Sequence, residues 1–237
     1  MAELHPTSAR ELWKALMDNA TALVDDAHTL LANGSHGRAR SLTVLAQEEL
    51  GKAIWLYEEF QTAWNDGDPT SREVEKLEKH GRSHIQKYLT AGMYGHRLAA
   101  FWGDYGGHED IGDTPEEWDA HFEKLKAGAA AAAVEAEEAA RSANIAKQHG
   151  FYVDINGDTG VILSPSAVEA GTIAEDLRRA AQVVEMQLIS DHSRMKYDAS
   201  TPYDSTHDQQ SRLLPISHPE VWAAATDAIV ADGPPSD

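Results

Sequence analysis

Between Thr114 and His149 the chain has little choice of conformation. Thr114-Pro115-Glu116-Glu117 is a threonine cap with proline at the first helical position and glutamate three residues after the cap. The stretch AGAAAAAVEAEEAARSA, midway between the cap and His149, is dominated by alanine, the best helix former and a residue that permits close helix packing. One long ordered helix is therefore predicted from the cap to about His149, and the rest of the chain reads in the same way.

Ser8 and Glu11 form a capping box, and the apolar period behind them runs to Ala32, where Asn33-Gly34 supplies a left-handed stop. A second helix is predicted from about Gly37 to Trp64, closed by NDGDP, and a third from about Ser71 to Trp102, followed by the loop composition GDYGGHEDIGD. After the long fourth helix, FYVDINGDTGVILSPSAV sets two short β-prone runs around an Asn-Gly and Asp-Thr-Gly turn, which reads as a small hairpin. The fifth helix is expected to begin near Ser166, with Glu169 completing its capping box. Its apolar stripe is Ile173, Leu177, Ala180, Ala181, Val184 and Leu188. From Asp198 the pattern lapses into a polar tail with one helix candidate, capped by Ser217-His218-Pro219-Glu220, and a GPPSD end. The expectation is an all-α protein: a five-helix bundle over 1–197, with the hairpin between its fourth and fifth helices, and a tail over 198–237.

With 20 Lys and Arg against 39 Asp and Glu, the net charge is -19, which argues against a broad sequence-independent hold on nucleic-acid phosphates but leaves room for a local basic pocket. The absence of cysteine removes disulfides, thiolate zinc sites and cysteine nucleophiles. MAELHPTSARELW lacks the basic-then-apolar pattern of a secretory signal, and no run of about 18 apolar residues occurs, so a cytoplasmic protein without a membrane span is expected.

Chemistry concentrates around LAQEELGKAIW, Leu45 to Trp55. Leu42, Leu45, Ala46, Glu49, Ala53, Leu56, Tyr57 and Phe60 step by three and four, which places Glu49 in an apolar stripe. A buried carboxylate demands a cation or hydrogen-bond donors. Lys52 can reach Glu48 or Glu49 across one turn, and His80, His84 and Lys87 on the third helix project from one face as further partners. The expected arrangement is a polar seam in which Glu49 touches His84 or Lys87. Such a seam can be purely structural, fixing helix register. His80 and His84 also have the spacing of a metal pair, but no Glu-x-x-His pattern accompanies them, so neither a metal nor another cofactor is expected. At the end of the fourth helix Arg141, Asn144, Lys147 and His149 gather polar and basic groups, a pattern that also complements a helix C-terminus. Arg178-Arg179 and Glu135 to Glu138 read as solvated faces, and Asp191-His192 as a surface or cap pair.

EELGKA (Glu48 to Ala53), then His84 and Lys87 as His-x-x-Lys, then Lys147 before a Tyr-Val-Asp hairpin (Tyr152 to Asp154), resembles the AbiV family of abortive-infection proteins over roughly Ser8 to Lys196. The resemblance implies an all-helical domain related to the HEPN superfamily, many of whose members are ribonucleases in toxin and phage-defence systems. It also implies arrest of phage multiplication through loss of translation, recognition of a phage protein, and a site formed between two protomers of a homodimer. Catalytic HEPN domains carry an arginine and a histidine closer together than Arg141 and His149 are here, and Asn144 stands at that closer spacing instead. For metal-independent cleavage of RNA, a histidine can take the 2'-hydroxyl proton while Arg or Lys stabilises the charge developing on phosphate. His84, Lys87, Arg141, Lys147 and His149 are the candidate catalytic residues, and Glu48, Glu49, Lys52, His80 and Tyr152 the candidate binding residues. RNA or the ribosome is the expected target. The competing class is a non-catalytic protein that blocks translation by binding a phage or host protein.

Overall fold

The computed structural model describes residues 3–103, 114–197 and 200–232. Its axis is helix α2 (His36–Asp66), whose buried residues Val44, Leu50, Ile54, Trp55, Phe60 and Trp64 are spread around the helix rather than along one stripe. That is the pattern of a helix covered on every side. Helix α1 (Pro6–Ala32) covers one side, turned back on α2 by a Schellman stop. In that stop Gly34 takes φ 72°, its N–H donates to the Leu31 carbonyl at 3.0 Å, and the Ser35 N–H donates to the Leu30 carbonyl at 2.8 Å. The far ends of the pair are joined by the Trp64 indole, which donates to the Pro6 carbonyl at 2.9 Å. Helix α1 starts earlier than the Ser8 box predicts, because His5 caps it, its Nδ1 accepting from the Thr7 N–H, and Pro6 fits the first turn.

Helix α7 (Ile173–Tyr197) closes a further side, and its predicted stripe from Ile173 to Leu188 is buried throughout. Asp191, expected at the surface, is fully buried. Arg10 donates to it at 2.7 Å and Arg194 at 3.0 Å, and the Arg10 guanidinium lies over the rings of Trp13 and Trp64. The second arginine explains the burial, since it satisfies the carboxylate from the other side. His192 stays nearer the surface, beside the Tyr203 hydroxyl.

Nine α-helices occur among the described residues, not five. The third predicted helix is broken into α3 (Glu75–His80), α4 (His84–Gly95) and α5 (Leu98–Phe101). Gly81 ends the first piece, and Ser83 caps the next by accepting from the Gln86 N–H. The long fourth prediction holds as α6 (Pro115–His149), with the capping box of Thr114 and Glu117 formed in both directions. The hairpin pairs β1 (Asp154–Ile155) with β2 (Ile162–Leu163), Asp154 opposite Leu163. A 3-10 turn (Pro165–Ala167) occupies the place where Ser166 and Glu169 suggested a helix start, and α7 begins only at Ile173. Beyond residue 200 there are two helices where one was foreseen, α8 (His207–Ser217) and α9 (Pro219–Asp232). Leu213 and Ile216 of α8 enter the main core. The expected loop over 104–113 and the GPPSD end lie outside the described residues.

Among the described residues, helix α6 buries side chains only in its last turns. From Thr114 to Ala139 no described side chain is buried, whereas Ala140 and Lys147 are. Trp118 and Phe122, one turn apart near its start, remain 44% and 51% exposed. No helix among the described residues is long and apolar enough to cross a membrane.

Candidate functional site

EELGKA sits in the middle of α2, and its glycine decides what can approach. A Cβ on Gly51 would stand 2.1 Å from the Lys87 carbonyl oxygen, so the backbones of α2 and α4 meet there and no side chain fits between them. That contact brings the first turn of α4, with His84 and Lys87, over the preceding turn of α2. From the other side comes the last turn of α6. The Ser41 hydroxyl is 2.8 Å from the Lys147 carbonyl and 3.0 Å from that of Gly37, and can donate to either. A Cβ on Gly150 would stand 2.0 Å from the same hydroxyl oxygen. Gly37, Ser41, Glu48 and Gly51 therefore share the face of α2 that receives α4 and α6.

Glu48, not Glu49, is the buried acid, with a side chain 3% exposed. Its carboxylate accepts from Lys147 Nζ at 2.6 Å and His84 Nδ1 at 2.7 Å, and Lys87 Nζ stands 3.3 Å away. Lys87 and Lys147 are nearly as buried as the acid, while the His84 side chain is 49% exposed. Burial pushes the Glu48 carboxyl upward, but the hydrogen bonds from Lys147 and His84, with their charges, outweigh it and hold the group below its ordinary value of 4.5. Glu48 is thus an ionised acceptor.

Protons can be assigned from this. An ionised carboxylate only accepts, so the Nδ1 of His84 carries the proton of the 2.7 Å bond. Lys147 Nζ, 2.9 Å from the same nitrogen, then shares the carboxylate with His84 instead of bonding to it. When the ring is neutral, that tautomer leaves Nε2 of a half-exposed ring as an acceptor, backed by a carboxylate in the manner of a base and its orienting acid. Two ammonium groups against one carboxylate also leave a local positive balance on an acidic chain.

Four of the sequence candidates meet here: Glu48, His84, Lys87 and Lys147. The others do not. Glu49 is one residue, about 100°, round the helix from Glu48, and it pairs with Lys52 at 2.7 Å without contacting His84 or Lys87. His80 belongs to α3, with its ring 6.5 Å from that of Trp55, so the His80 and His84 pair shares no helix face. Arg141 is 62% exposed and paired with Glu137 at 2.6 Å. His149 is half-buried, makes no hydrogen bond or ion pair among the described residues, and leads into the exposed Tyr152. Sequence reasoning missed Ser41 and the packing role of Gly51. Both were visible as small residues in phase with Glu48 and out of phase with Glu49.

Changing Gly51 to alanine is expected to push α4 away from α2 and to destabilise the protein by about 1–3 kcal/mol, the usual range for overpacking. A urea melt of that variant superimposing on the parent's would show that the two helices separate freely.

A family model described as AbiV matches residues 8–185. No curated protein and no solved structure matches the chain.

Proposed function

The chain belongs to the AbiV family, and on that footing we propose that it is an abortive-infection defence protein that stops translation by acting on RNA. The observation that supports this reading most is the half-exposed His84, held through Nδ1 by buried Glu48 and flanked by Lys147. In the proposed reaction His84 Nε2 removes the proton of a ribose 2'-hydroxyl, and the oxygen attacks the adjacent phosphorus. The bond to the 5'-oxygen breaks and that oxygen takes a proton from water, giving a 2',3'-cyclic phosphate and a free 5'-hydroxyl. Lys87 and Lys147 lie beneath the histidine and favour negative charge at its rim. In a homodimer, two such weakly basic sites would be brought into one cleft, the supply of further cations that one protomer lacks once Arg141 is paired elsewhere.

A second reading has its own support. Phe151, Tyr152, Val153, Ile155, Val161 and Ile162 around the hairpin are all 39–69% exposed, an apolar tip suited to a protein partner such as a phage trigger. Under that reading the Glu48 cluster is a structural lock and the protein blocks translation by binding.

The two are separated by incubating the purified full chain with cellular RNA, with and without extract of phage-infected cells, beside plaque counts on cells expressing it. The first reading expects protection from phage and RNA fragments ending in cyclic phosphate. Protection with intact RNA under both conditions would favour the binding protein, and absence of protection would remove both.

A further inference from the structure

Where α4 gives way to α5, a groove of about 510 Å3 opens between those helices and the middle of α7. The proposed RNA cleavage makes no use of it. Met186 and Gln187, both buried, form its floor, and Tyr94, Arg97 and Phe101, all more exposed, its sides.

Gln187 is the residue that calls for a ligand. It is 4% exposed and lines the groove, yet its amide makes no hydrogen bond among the described residues. Its buried polar neighbours along α7 are provided for: Glu185 stands 3.1 Å from His218 Nε2, and Asp191 accepts from Arg10 and Arg194. A buried polar side chain is ordinarily hydrogen-bonded, because burial takes away the partners that water gave it. An amide carries a donor and an acceptor together, so a single peptide group can satisfy both.

Arg97 is unpaired as well. Its guanidinium lies 4.5 Å above the centre of the Tyr94 ring, with no carboxylate in ion-pair distance among the described residues, on a chain where 39 acidic residues face 20 basic ones. Glu58, to which the Tyr94 hydroxyl donates at 2.9 Å, has its other oxygen taken by Lys76. A guanidinium resting on an aromatic face keeps its N–H edge for a carboxylate. Between Gln187 and this cation the walls are Ala100, Phe101 and Met186, a ring and a thioether that favour an aromatic guest.

A peptide group, an apolar side chain and a carboxylate occur together on one residue at the C-terminus of a polypeptide. We propose that the groove captures the C-terminal end of a partner protein whose last residue is aromatic. The last peptide group pairs with Gln187, the terminal carboxylate with Arg97, and the last side chain packs on Phe101 and Met186. This inference does not rest on the RNA reading.

Calorimetric titration of the full chain with acetyl-alanyl-alanyl-phenylalanine tests it, beside the same peptide amidated at its C-terminus, the analogue ending in serine, and free phenylalanine, which has no peptide group. The first peptide should saturate at one per chain, and each of the other three should bind about tenfold more weakly or worse, the loss expected when a charged hydrogen bond or its equivalent goes. Arg97→Gln should bind the acid no better than the amide. Gln187→Leu should also bind about tenfold more weakly. Its melt should be no lower than the parent's, since an unpaired amide gives way to an apolar group, so the weaker binding would not be lost folding. The proposal is overturned if the first peptide does not saturate, or if its amidated form binds as tightly. It is equally overturned if Arg97→Gln still prefers the acid, or if Gln187→Leu binds like the parent.

Discussion

Replacing Glu48 by alanine is expected to destabilise the protein by about 3–5 kcal/mol, the range for removing one partner of a buried ion pair. The reason is the pair of cations left behind: Lys87 and Lys147, both nearly buried, would face each other across an empty position with no carboxylate between them. Glu49→Ala is the internal control. Its pairing with Lys52 across one helical turn is of the kind worth about 0.2–0.5 kcal/mol, so the neighbouring change should be nearly silent. Urea unfolding at neutral pH would measure both. Equal losses at the two positions would contradict the geometry of α2.

Acid provides an independent check on the same residue. The carboxyl of Glu48 is held below 4.5 in the fold, so its contribution is fully present above that value and is lost as pH falls through the lowered one. The stability gap between parent and Glu48→Ala should therefore be constant near neutrality and narrow on acidification below about pH 4.5. A gap that widened instead would mean that the acid is protonated in the native protein.

Replacing His84 by glutamine should reduce the proposed RNA cleavage by about 10²–10⁴-fold, the usual contribution of a positioned general base. Glutamine can still donate to Glu48, so the buried lysines keep their partner and the melt should move far less than in Glu48→Ala. Initial rates on an end-labelled RNA, taken beside thermal melts, would read this. An unchanged rate in a variant that melts like the parent would take the histidine out of the chemistry.

Those features that depend on neighbours along the chain were legible in the sequence. The Thr114 capping box, the Asn33-Gly34 stop, the hairpin turn and the α7 stripe each involve residues within a few positions of one another, and each formed. The order of EELGKA, His84, Lys87 and Lys147 also pointed to residues that the fold gathers. The features that failed depended on how many sides of a helix are covered. A single-stripe reading of α2 chose Glu49, but a helix buried all round has no single stripe, and the small residues Gly37, Ser41 and Gly51 mark the side that matters. The break at Gly81 was overlooked because apolar period carries across a short gap, and the burial of Asp191 because one of its two cations, Arg10, is distant in sequence. Helix α8 has Pro215 inside it and a weak apolar pattern, so only its docking through Leu213 and Ile216 reveals it.

Mechanically, α6 is a long beam whose described buried side chains all lie near one end. At 1.5 Å per residue, Pro115 lies about 37 Å from Ala140, where burial begins, and Lys147 about 10 Å beyond it on the buried side. Tilting about that point divides a movement at the tip by roughly three and a half at Lys147. A load that shifts Pro115 by about 4 Å would shift the backbone at Lys147 by about 1 Å, a strain on a contact now 2.6 Å long. Whatever takes hold of the N-terminal end of this helix has purchase on the ion pair at the other.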